Sequence, residues 1–280
     1  MTAAALNQRV PRPFDEATGS WLKVPAAGPV AGPDPAAPRK GPLAKAMWVL
    51  LAIDLLAIGA LFVSNLYGGV VLLFQSDSAQ AERLREQMQN GSAWDAYLNV
   101  GLSFLLFGII PALWLLGTRY RPWQGARAYL QLRANRRDWL RGLALVPALL
   151  VAVFILSTLY LVATEGVEAL QGGGERSVDA LVQHLTWPLA VFIALAAGIG
   201  EELFFRGILR RWIGIWAQAL VFGLAHAAGA YPPQMLFAFG LGVLFGYLMR
   251  RGWSLVTMMV AHAGYNFTLL AFALAFPDAA

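Results

Sequence analysis

Hydrophobic positions in this chain run on rather than alternate. From residue 43 onward, apolar stretches of about 20 residues follow one another, separated by short polar segments. That is the length a helix needs to cross a hydrocarbon core about 30 Å thick. Continuous hydrophobicity predicts helices, because barrel strands would alternate. The pattern predicts seven spans, at about 43–74, 94–117, 139–164, 186–211, 213–229, 232–249 and 252–276. The expected fold class is all-α, a polytopic membrane helix bundle. Residues 1–42 break the pattern: they are rich in Pro, Ala and Gly, carry scattered charge and lack the apolar stretch of a signal peptide. They read as a disordered cytosolic tail. The chain thus divides into that tail, N-terminal transmembrane helices over 43–185 and a helical core over 186–276.

Composition agrees: 58% of residues are hydrophobic and 13% charged, against about a quarter charged in a soluble domain. A formal charge of +5 raises nucleic acid as a partner, but the position of each Lys and Arg decides otherwise. Eighteen of the 21 basic residues fall in the N-terminal segment or at the connections around Arg119–Arg141, Arg206–Arg211 and Arg250–Arg251. Only Arg83, Arg85 and Arg176 lie in the opposite loops, which also hold Glu82, Glu86, Glu165, Glu168, Glu175 and Asp179. Basic residues accumulate on the cytosolic side of membrane proteins, so the asymmetry predicts N-in, C-out. No basic domain is left over for nucleic acid. The expected location is a bacterial cytoplasmic membrane, with the lipid bilayer as surroundings. The chain has no cysteine, which excludes disulfides, thiolate metal sites and thiol nucleophiles.

Ionisable residues within spans need a partner or a job. Here they are Asp54, Glu201, Glu202, Arg206, His226 and His262, the last followed by Asn266. Counted at about 1.5 Å per helical residue from the basic span ends, Glu201 lies roughly 15 Å deep, His226 roughly 20 Å and His262 roughly 14 Å. Three helices therefore bring a carboxylate and two imidazoles to similar levels, around one expected wet pocket. Residues four apart share a helix face, which pairs Glu202 with Arg206, His262 with Asn266, and Phe222 with His226. Glu201 is turned about 100° from Glu202 and has no intrahelical cation, making it the better group for proton chemistry. Asp54 has no partner in the sequence and reads as a packing or gating acid.

The motifs EELFFR (201–206), FGLAH (222–226) and HAGYN (262–266), in that order on spans, closely resemble the CPBP family. These are intramembrane proteases that include the CAAX prenyl endopeptidases and the bacterial abortive-infection proteins. The resemblance covers roughly 187–272 and implies an endopeptidase with an active site open to the cytosolic side. It implies Glu201 as the base that activates water, Glu202 and Arg206 as the accompanying pair, and His226, His262 and Asn266 as the remaining catalytic positions. The implied partner is a protein or peptide substrate, prenylated or membrane-embedded.

Peptide hydrolysis must deprotonate a water and stabilise an oxyanion, and these residues allow two routes. In the first, His226, His262 and Glu201 bind a divalent ion, zinc, as in catalytic sites with an open position; this is the preferred expectation. In the second, Glu201 and His226 activate water directly while His262 and Asn266 hold the oxyanion. Two other functions stay open: a non-proteolytic membrane immunity or partner-binding protein on this scaffold, and a proton-coupled transporter using the same residues as a relay.

Overall fold

The computed structural model describes residues 14–15, 20–21, 38–119, 122–166, 184–227 and 232–276. Two compact units result, Met1–Asp34 and Pro35–Ala280. In the first, β1 (Phe14–Asp15) pairs antiparallel with β2 (Ser20–Trp21). The rest of the expected tail up to residue 37, and the acidic and basic residues Glu168, Glu175, Arg176 and Asp179, lie outside the described residues.

The regular elements described in the second unit are helices: α1 (Pro42–Phe74), α2 (Ala79–Gln89), α3 (Ala93–Gly117), α4 (Pro122–Leu130), α5 (Arg136–Glu165), α6 (Trp187–Ala196), α7 (Arg210–Ala225), α8 (Pro232–Arg250) and α9 (Leu255–Ala275). Local chemistry fixes the starts. Ser92 and Asp95 form a reciprocal capping box on α3, while Asn135, Thr186 and Ser254 each accept a backbone N–H as N-caps of α5, α6 and α9.

Five helical stretches are long and apolar enough to cross a membrane: 42–74, 93–117, 136–164, 187–225 and 255–275. The expected segments 186–211 and 213–229 share one helical stretch, 187–225, which Gly214 breaks with φ 85° and ψ 179°, backbone that favours glycine, and residues 228–229 lie outside the described residues. The segment at 232–249 corresponds to α8, which is not among the five. Only 11% of the apolar window of α1 and 6% of that of α5 are buried, so these helices present oily surfaces of the kind lipid covers.

Between α6 and α7 the backbone winds as a π-helix, Ala197–Leu209. Its carbonyls bond five residues on instead of four, a form met at functional sites. Small residues let neighbours approach it: a Cβ on Gly198 would lie 2.6 Å from the Cβ of Ala263 on α9, and one on Gly200 3.2 Å from Phe104 on α3. The core around it is aromatic, with Trp114, Phe204, Phe205, Phe222 and Phe245 buried. Buried Gln218 ties α7 to α8 by donating to Gly242 O at 2.8 Å.

Candidate active site

The π-helix carries both carboxylates, and their one-residue offset sends them to different neighbours. Glu202 is fully buried and turns towards α9, where its Oε1 lies 2.8 Å from His262 Nδ1. The same oxygen lies 3.0 Å from an Arg206 guanidinium nitrogen, in the ion pair that the i, i+4 spacing predicts. Arg206 is also fully buried, and its guanidinium sits 4.0 Å from the centre of the Phe222 ring and 5.6 Å from that of Phe245. A cation this deep is held by one carboxylate and two aromatic faces.

Glu201 points the other way. It lines a cavity of about 160 Å³ together with His226, and its Oε2 is buried without a hydrogen-bond partner. The remaining walls come from α1 (Ile58, Leu61, Phe62, Asn65), α3 (Ser103, Phe107), the π-helix (Phe204, Phe205) and α7 (Val221, Ala225).

The ring tautomers follow from their partners. Phe222 O, 2.8 Å from His226 Nδ1, can only accept, so Nδ1 carries a proton, and in the neutral ring Nε2 is the acceptor. His262 Nδ1 faces a carboxylate oxygen, which likewise calls for a proton on that nitrogen. Phe222 packs edge-on against both imidazoles, 4.8 Å from the His226 ring centre and 6.2 Å from that of His262.

Glu201 and His226 line one cavity, whereas His262 contacts Glu202, the partner of Arg206; neither His262 nor Asn266 is among the residues lining the cavity. Adjacent positions on a helix cannot face the same neighbour, and His262 takes the carboxylate turned to α9. Asp54, 2% exposed, stands four residues before cavity-lining Ile58, and neither of its oxygens has a hydrogen-bond partner among the described residues. No group of three His, Asp or Glu side chains gathers as a metal site among the described residues. Both Nδ1 atoms are engaged by oxygen acceptors, Phe222 O and Glu202 Oε1, which leaves the two Nε2 atoms as the ring positions open to a ligand.

Sequence reasoning missed Asn65 and Ser103, the polar residues that α1 and α3 contribute to the cavity. Asn65 Nδ2 donates to Ala225 O, 3.4 Å away, beside His226. An asparagine inside an otherwise apolar run is a visible cue; a serine is not.

Comparison with known proteins adds one finding. Residues 183–268, less than a third of the chain, match the family described as type II CAAX prenyl endopeptidase, Rce1-like. The match contains all six candidate site residues and agrees with the CPBP resemblance. It supports CAAX-type intramembrane protease activity in general terms. No curated protein and no solved structure matches the chain.

Proposed function

We propose that this protein is an intramembrane endopeptidase in which Glu201 and His226 activate a water without a metal ion. The observation that carries the reading is their shared cavity, in which a buried carboxylate oxygen of Glu201 has no protein partner. At about 160 Å³ the space admits water and part of a peptide backbone. Glu201 takes a proton from the water while His226 Nε2 orients it; the hydroxide adds to the peptide carbonyl, and the proton passes to the departing amine. His226 is held in place by its bond to Phe222 O. His262 donates its Nδ1–H to Glu202 Oε1, which ties α9, with Asn266 one turn along, to the π-helix that carries Glu201, so these residues position the base. Arg206 balances the charge of Glu202 and positions it.

The basic residue distribution supports entry from the cytosolic side in an N-in arrangement, and the apolar cavity walls suit a membrane-embedded or lipidated protein substrate. Proteoliposomes containing the full chain provide the test. An endopeptidase cleaves a quenched fluorescent peptide with no pH gradient and accumulates no solute when one is applied. Gradient-driven uptake without cleavage would establish a transporter instead.

A further inference from the structure

Arg119 follows the end of α3 and is only 6% exposed, with its Nε fully buried and lacking a hydrogen-bond partner. Its guanidinium carbon lies 4.7 Å from the centre of the Tyr129 ring on α4 and 5.7 Å from that of Trp114. Arg211, at the start of α7, places its own guanidinium 4.6 Å from the same Tyr129 centre. Two cations therefore share one ring, and Arg210 is the next residue in the chain. No carboxylate among the described residues pairs with any of the three. Burial lowers the pKa of Arg119, and the Tyr129 hydroxyl alone opposes the shift. Like charges gathered without a counter-ion repel each other strongly where water is scarce. An arginine present only to set topology would be solvated, and this one is not.

The surroundings identify the kind of anion. Trp48 and Trp212 pack edge-on against Trp114, at ring distances of 4.9 and 5.8 Å, and are themselves 49% and 40% exposed. Half-exposed tryptophans beside arginines at the ends of membrane helices mark the depth of lipid headgroups. We propose that Arg119 and Arg211, which share the Tyr129 ring, together with the adjoining Arg210, bind the headgroup phosphate of an anionic phospholipid. The site has a route to the catalytic helix, because Arg210 Nε donates to Arg206 O at 3.0 Å. Headgroup binding fixes the junction of the π-helix and α7, one turn past the Glu202 partner.

Native mass spectrometry of the full chain in neutral detergent tests this, with phosphatidylglycerol, phosphatidylcholine or inorganic phosphate titrated separately. The wild type retains one phosphatidylglycerol per chain in preference to phosphatidylcholine, and inorganic phosphate at equal concentration does not displace it. Arg211→Gln, at an exposed position, weakens the affinity about 5-fold and Arg119→Gln with Arg211→Gln about 30-fold. Arg127→Gln, on α4 but away from the Tyr129 ring, leaves it unchanged. If Arg119→Gln does not fold, Arg211→Gln alone and Arg119→Lys carry the comparison. Unchanged affinity in Arg211→Gln, or a loss equal to that of Arg127→Gln, overturns the site. Displacement by inorganic phosphate at equal concentration overturns the lipid assignment.

Discussion

Replacing Glu202 by Gln removes the carboxylate that pairs with Arg206 and leaves the guanidinium fully buried over Phe222 and Phe245. At 3.0 Å and an effective dielectric of about 20, the lost attraction is about 5–6 kcal/mol before desolvation is counted. Both partners are buried, so solvent does not screen the pair, and breaking one side of such a pair costs about 3–5 kcal/mol net. For a chain of this size that corresponds to a fall of roughly 10 °C in Tm. The charge-free double variant Glu202→Met with Arg206→Met leaves no orphaned ion and should recover most of the loss while remaining inactive. Thermal unfolding of wild type and the two variants, followed by tryptophan fluorescence in one detergent, measures this directly. A Tm for Glu202→Gln within a degree of wild type, or a double variant less stable than Glu202→Gln, refutes the reasoning.

Other outcomes follow from the same geometry. His226→Ala should slow peptide cleavage by about 10²–10⁴-fold with Tm close to wild type, since the ring is only partly buried and its one polar tie is to Phe222 O; parallel rate and unfolding measurements check both halves. Gly198→Ala puts a methyl 2.6–2.7 Å from Ala263 on α9, which should cost about 1–3 kcal/mol and lower activity by moving the π-helix away from α9; denaturant or thermal unfolding gives the first number and the cleavage assay the second. Chelation and elemental analysis should find full activity with no bound divalent ion, and activity restored only by adding one would reinstate the zinc route.

Much of the fold was legible because lipid imposes long apolar runs, whereas the break at Gly214 inside the stretch 187–225 was not read from the sequence, being a matter of backbone conformation. The short helices α2 and α4 were not, since neither is long or apolar enough to stand out from a polar connection. In the site, i, i+4 spacing yielded the Glu202–Arg206 pair and the edge-on contact of Phe222 with His226. Depth counting put His226 and His262 at similar levels but could not tell which partner each ring would take, Phe222 O or Glu202. That depends on helix rotation and on π-winding, which i, i+4 reasoning does not include. Asn65 and Ser103 reach the cavity through the packing of α1 and α3, a tertiary fact with no local pattern.

The central claim is that Glu201 deprotonates the water that cleaves the peptide bond. The most direct measurement compares wild type with Glu201→Gln in heavy-oxygen water, with mass spectrometry following the label into the new C-terminal carboxylate. The account predicts one labelled oxygen per cleavage by wild type and at least about a hundredfold less labelled product from the variant. Labelled product forming at the wild-type rate in Glu201→Gln contradicts it.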